Sequence, residues 1–294
     1  MTYDCVNHCK YLMSLVIGWI GFDKKPSSLY FAADSRISWP DKSKWDNAQK
    51  VFALPITDEI FGYCGDVLFP TQILSQITQL AQTGALFAPK EHPEDRVKTY
   101  LKLLEKAIES YPQDKFAEPF HVLYAVAYEG QLFCYKISSQ ARSSQFILTP
   151  LPIPHDCSAV IGEPLGSSGA IKYLKSLFTR GKGAWTGKEL KSYEIFQAFH
   201  MTLTDSGDAA IGGAPQAVSL YDNGEAKLYG VFYKENKYIL GMNGNYLMIP
   251  NEISWRNESF EICDAQTGKR KQDAQVQKPP EQKTGGLTDW LATH

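Results

Sequence analysis

An α+β fold, built as a four-layer α-β-β-α sandwich, is predicted for this chain by three observations. Apolar β-rich runs and helical segments fall into blocks, in the order strands, helix pair, strands, helix pair, strands, where a parallel sheet would need strict alternation. Short turn signals, Glu129-Gly130 and Asp222-Asn223-Gly224, join neighbouring strand runs as antiparallel hairpins do. With 294 residues, 44% of them hydrophobic, the chain can bury a core of the size that such a stack requires.

The elements follow in order. Leu15 to Gly21 and Leu29 to Ala33 are β-rich runs parted by Asp23-Lys24-Lys25-Pro26-Ser27-Ser28, whose charge and proline mark a turn. After a polar loop with Pro40 and Asp41, Lys50 to Leu54 and Ile60 to Tyr63 read as two short strands. From Pro70 to Gln82, Ile73, Leu74, Ile77 and Leu80 recur at helical spacing, with Gly84 as a stop; Val97, Leu101, Leu104 and Ile108 repeat the pattern between Pro93 and Tyr111. His121 to Ala127, Leu132 to Ile137, Phe146 to Leu148 and Ser158 to Ile161 return to strand. Ser168 to Phe178 and Tyr193 to Leu203 are helical again, and Ala217 to Tyr221, Lys227 to Tyr233 and Lys237 to Gly241 close the domain as strands. Residues 14–264 therefore form one domain, preceded by a leader or misassigned start (1–13). From Ala265 onward Lys, Gln, Asp and Pro predominate, so residues 265–294 are expected to be disordered. Leu287-Thr288-Asp289-Trp290-Leu291 ends that tail as a short apolar motif, read as either a docking peptide for a partner or a locally packed segment.

Composition narrows the function. A formal net charge of -2 with 21% charged residues gives no field for nucleic acid or an anionic membrane. The six cysteines are scattered rather than spaced as a disulfide framework, and the expected compartment is the reducing cytoplasm. Cys5, His8 and Cys9 invite a zinc reading, but no second Cys/His pair at finger-like spacing completes four ligands, and no cofactor is expected. The apolar run Tyr11 to Phe22 is too short to span a bilayer and lacks a small-residue cleavage site; it reads as a buried strand, with an exported protein as the rival reading.

The most informative stretch runs from Ala32-Ala33-Asp34-Ser35-Arg36 to Asp46-Asn47-Ala48-Gln49-Lys50, placing Asp34 and Lys50 sixteen residues apart at strand edges. Here the chain resembles the proteasome β-subunits and their bacterial ring-protease relatives, N-terminal-nucleophile hydrolases whose second strand carries A-A-D-S-R and whose third opens on N-A-Q-K at that separation. The resemblance spans about Ser14 to Tyr233. It implies that Ser14, in Ser14-Leu15-Val16-Ile17-Gly18, is the nucleophile in the place usually held by threonine. It further implies that Lys50 and Asp34 support Ser14, that Gly65 forms the oxyanion hole, and that Asp208 and Ser168, with Ser167 beside it, stabilise the nucleophile and its amine. Ile211 replaces the family's serine in Asp208-Ala209-Ala210-Ile211-Gly212-Gly213, and the turn Ile161 to Gly169 is longer than the family's.

The chemistry needs a hydroxyl on the first residue because the free α-amine, with a pKa of about 7.7 to 8.0, serves as its base. Met13 before Ser14 suggests an alternative start with a trimmed initiator; a start at Met1 requires removal of thirteen residues. The reading is an amidohydrolase cleaving peptide or other amide bonds. The resemblance implies a peptide or protein substrate and self-association into a ring or smaller oligomer. A catalytically silent scaffold subunit and a non-peptidase amidase of the same fold are the alternatives.

Overall fold

A computed structural model describes residues 14–39, 41–88, 90–112, 118–139, 145–180, 190–248 and 253–277. The leader with Cys5, His8, Cys9 and Met13, and the Trp290 motif, lie outside the described residues.

Six strands come first: β1 (Leu15–Asp23), β2 (Lys25–Ala33), β3 (Ile37–Ser38), β4 (Lys44–Trp45), β5 (Val51–Leu54) and β6 (Glu59–Gly65). Helices α1 (Leu68–Gln82) and α2 (Pro93–Glu109) are followed by β7 (Phe120–Tyr128), β8 (Gln131–Ser139), β9 (Phe146–Leu151), β10 (Ala159–Val160) and β11 (Leu165–Gly166). Helices α3 (Ser168–Arg180) and α4 (Ser192–Asp205) precede β12 (Gln216–Tyr221), β13 (Ala226–Tyr233), β14 (Asn236–Ile239), β15 (Met242–Asn243), β16 (Ser254–Arg256) and β17 (Ile262–Cys263).

The strands form a ten-stranded sheet, with β10-β1-β2-β12-β13-β14-β15 in order, and a five-stranded sheet, β5-β6-β7-β8-β9. The predicted α-β-β-α sandwich is the observed fold. Its central strands read as continuous apolar runs because both of their faces are buried. On β1, Leu15, Ile17 and Trp19 pack under α3 and α4 with Ala170, Leu174, Phe196 and Phe199, while Val16 and Ile20 point into the layer between the sheets. On β6, Ile60 and Cys64 face that middle layer, and Phe61 and Tyr63 face α1 and α2. Three apolar layers therefore hold four structural ones.

α2 begins with Pro93 at its first position, His92 accepting the Glu94 N–H, and Glu94 and Asp95 in the first turn, where negative charge complements the helix dipole. A fully buried carboxylate, Glu59, ties this helix to the sheet through the Tyr100 hydroxyl at 2.7 Å, and also accepts from Tyr124 at 2.6 Å and Thr57 at 2.7 Å.

Three features differ from the sequence expectation. The polar loop after β2 contains a small hairpin, β3 with β4, closed by the Trp39 N–H to Ser43 C=O bond; strands of two residues carry no readable periodicity. β16 adds to β13 as a parallel neighbour beyond the predicted strands. Of the tail expected to be disordered, residues 265–277 are described and carry turns: Lys271 N–H donates to Ile262 C=O, and Gln277 N–H to Glu261 at 2.9 Å. Local polar bonds hold this segment where apolar content does not.

Candidate active site

β1 begins and β2 ends at one end of the sandwich, because the antiparallel β1–β2 register sets Val16 opposite Ala33, and β6 ends there too, its Tyr63 N–H donating to the carbonyl of Lys50, whose ammonium bonds Asp34. Ser14, Asp34 and Gly65 are the residues that flank or close these strand ends, and Lys50 stands immediately before β5. Ser14, Asp34 and Lys50 are all buried, the last two completely.

Asp34 organises the site. Its Oδ1 accepts from the Leu15 N–H at 2.9 Å and from Lys50 Nζ at 2.8 Å, and its Oδ2 accepts from the Arg36 and Gly212 N–H groups, each at 3.1 Å. One carboxylate oxygen thus joins the lysine ammonium to the amide that follows Ser14. Lys50 Nζ also donates to the Arg36 carbonyl. Burial drives the Lys50 pKa down from its usual value, and Asp34 opposes that fall. An ammonium of reduced basicity in a dry site is a strong local field on whatever hydroxyl or amine stands beside it.

Ser14 is fixed from a second side. Its carbonyl accepts the Ser167 N–H at 2.9 Å, and Leu15 pairs with Gly166 on β11. Gly166 has φ +136, and a Cβ there would overlap the Ser14 carbonyl, so only glycine permits this approach. The Ser167 hydroxyl then donates to Asp208 Oδ2, which also accepts the Ala170 N–H at 2.9 Å, while Oδ1 accepts from Ala210 at 2.9 Å. The hydroxyl joined to Asp208 is therefore that of Ser167; Ser168, the sequence choice, is exposed at the head of α3. Ile211 is buried in the core under α3 and α4, and its carbonyl accepts from Arg36 Nη1 at 2.8 Å.

Gly65 closes β6 with φ +105, a conformation that glycine adopts freely. Its neighbour Cys64 is fully buried, and its thiol pKa is pushed up to about 12 by burial, with the Lys50 charge opposing. Cys64 therefore acts as an inert packing group in the apolar layer between the two sheets.

Gln216 is a site residue that sequence reasoning missed. At the head of β12 and buried, it accepts the Lys50 N–H at 3.0 Å and donates to the Asp34 carbonyl at 3.0 Å and the Ala48 carbonyl at 2.7 Å. It clamps the backbones that carry both members of the ion pair. Gln216→Leu is expected to destabilise the fold by about 1–3 kcal/mol, through three unpaired backbone groups. If the site is catalytic, misplacement of Lys50 should also lower turnover about a hundredfold; urea unfolding and steady-state rates check the two effects.

His121, the cross-strand partner of Cys64, bonds Ser138 through Nδ1 at 2.9 Å, and burial followed by the Lys136 charge lowers its pKa to about 4. The unfolded chain, with a value near 6.5, takes up the proton first. Stability is thus full above pH ~6.5 and declines as pH falls towards ~4. Urea midpoints should drop across that window, and His121→Gln should flatten the drop.

An apolar recess of about 220 Å³ opens beside this end of the sandwich, lined by Ile37, Trp45, Ala48, Tyr63, Val67 and Leu68 among others. Among the described residues no group of three or more His, Cys, Asp or Glu side chains could hold a metal ion, and no helix is long and apolar enough to cross a membrane.

No protein-family model matches the chain, and no curated protein does. Among solved structures it is similar to Anbu (ancestral beta-subunit) from Yersinia bercovieri, at 14% identity and TM-score 0.51 over 76% of this chain and 86% of that one. Two structures of Anbu from Hyphomicrobium sp. strain MC1 also match. One is a Gly-1 mutant at 15% identity and TM-score 0.47 over 77% and 88% of the two chains; the other stands at 13% and 0.46 over 72% and 84%. The likeness to the Yersinia bercovieri structure is one of fold. The family resemblance read from the A-A-D-S-R and N-A-Q-K motifs is corrected accordingly: without a matching family model, and at 14% identity, what the chain shares with this ancestral beta-subunit is its fold.

Proposed function

We propose that the chain is an amidohydrolase in which Ser14, once the residues before it are removed, is the nucleophile. The observation that carries this reading is the Asp34 Oδ1 atom shared by the Leu15 amide and the Lys50 ammonium, which couples a buried cation to the residue that would become the first. Ser14 also has φ +124, a region that a non-glycine residue occupies at a cost of about 1–3 kcal/mol. Breaking the preceding peptide bond removes the constraint that defines φ, so processing relieves that strain.

The α-amine then takes the Ser14 hydroxyl proton as Oγ attacks the amide carbonyl, and the oxyanion is stabilised by the Gly65 N–H. The ammonium returns the proton to the departing amine as the C–N bond breaks, leaving a Ser14 ester. Water, deprotonated by the same amine, cleaves the ester and releases the acid. Lys50 lowers the pKa of hydroxyl and amine alike, and Asp34, with Asp208 acting through Ser167, holds the parts in register. The apolar recess suits a peptide with an apolar side chain next to the scissile bond. The buried Cys64, Cys134 and Cys263 are free thiols, which supports a cytoplasmic setting, and self-association into a ring or smaller oligomer completes the proposal.

Intact mass and N-terminal sequence of the purified protein, followed by assay on a panel of peptide amides, test this reading. A chain beginning at Ser14 that hydrolyses the panel supports it. A chain beginning at Ser14 that turns over no amide sinks it and leaves a silent scaffold, a reading favoured by Ile211 standing in the core where a second hydroxyl would assist.

A further inference from the structure

A cavity of about 490 Å³, within the range of about 300–1,000 Å³ usual for small-molecule sites, adjoins the candidate active site: Arg36, Asp208 and Gly212 are on its lining, and Ser14 is not. Its walls are the 207–214 turn, the segment from Lys44 to Asn47, and the hairpin joining β13 to β14. Two acids lie on the lining and both are committed. Asp46 receives Arg36 Nε at 2.7 Å and Nη2 at 2.9 Å, and Asp208 is turned to Ser167, Ala170 and Ala210.

The lining cations are not balanced in the same way. Arg36 is neutralised by Asp46 and also donates from Nη1 to the Ile211 carbonyl. Lys44, on β4, and Lys234, in the turn after β13, are exposed, and neither has a carboxylate at ion-pair distance among the described residues. Between them stand neutral polar groups: Thr204, Tyr238 and Tyr233, the two rings edge to face at 6.2 Å, with Lys234 Nζ 5.1 Å from the Tyr233 ring centre. Glu258 stands behind Lys234, accepting its backbone N–H at 3.4 Å, but neither ammonium has an ion-pair partner among the described residues, and with both lining carboxylates already bonded the two make a site for negative charge at more than one point.

We propose that this cavity binds a small organic anion carrying two or more carboxylate or phosphate groups, with Lys44 and Lys234 taking the charged ends and Thr204 and Tyr238 the polar middle. The inference stands whether or not Ser14 is a nucleophile. Calorimetric titration of citrate and of pyrophosphate into the full-length protein, with ionic strength held constant by sodium chloride, tests it. At least one probe should give a saturable one-to-one isotherm with Kd at or below about 1 mM, and the tighter of the two tells carboxylate from phosphate. Lys44→Ala with Lys234→Ala should weaken it at least about tenfold, while Ser14→Ala binds as the wild type does. Both lysines are exposed, so the double variant is expected to fold, as circular dichroism will report. Absence of saturable binding for both probes, or unchanged affinity in the folded double variant, overturns the proposal.

Discussion

Ser14→Ala is expected to reduce amide turnover by about 10⁴-fold or more, the scale seen when a hydroxyl nucleophile is lost. The fold should hardly notice. The contacts that fix residue 14 are made by its backbone, through the carbonyl bond to Ser167 and the Leu15 amide bond to Asp34, and alanine keeps both. Removal of one buried hydroxyl alters stability by about 1 kcal/mol or less. The informative measurement is therefore a pair: the rate on a peptide amide, and the thermal midpoint of the same preparation after its N-terminus has been read. A variant that keeps wild-type turnover with residue 14 exposed as the first residue would assign the chemistry to another group.

The second large effect falls on both activity and stability. Lys50→Ala strips the partner from a carboxylate that is wholly inaccessible, and leaving one member of a buried pair uncompensated costs about 3–5 kcal/mol. It also removes the charge proposed to lower the hydroxyl and amine pKa, so turnover should fall at least about a thousandfold. Lys50→Met refills most of the volume and separates the two consequences. Its packing loss is smaller, yet its activity should be as low as that of alanine. Urea unfolding gives the first quantity and single-turnover kinetics the second. Recovery of activity in the methionine variant would mean that Lys50 acts by filling space.

The layer order was readable because burial on both faces writes itself into composition. Runs such as Leu15 to Gly21 are apolar throughout, and the helix pairs retain the amphipathic period of elements with one wet face. Asp34 and Lys50 were findable only through the resemblance of the motifs around them; two charges at strand edges beside a polar loop read by themselves as a surface pair. Neighbouring hydroxyls are harder. Ser167 and Ser168 differ by one position at a strand-to-helix turn, and a rotation of about 100° along the helix start decides which faces Asp208. Gln216 left no trace, since a single amide before an apolar strand looks like any strand end until its three partners, distant in sequence, are assembled around it. The five-residue motifs drew the chain towards a family whose model it does not match; they record how two strand ends are built, which is a property of the fold.

The bonding of Asp34 has a consequence for the life of the chain during synthesis. Its partners are the amides of residues 15, 36 and 212 and the ammonium of residue 50, with the Gly212 bond spanning 178 residues. Such a junction closes only after the long excursion through both helix pairs has been made, and its loop entropy is offset by the packing that comes with it. A ribosome-bound chain that has not yet emitted residues 212 and 216 lacks the Gly212 amide on Oδ2 and the Gln216 bonds to the Lys50 and Asp34 backbones, and so lacks the groups that fix the ion pair in place. If the site cuts peptide bonds, the unfinished protein is thereby kept from acting on itself and on its neighbours, and competence arrives with the last strands rather than with the first.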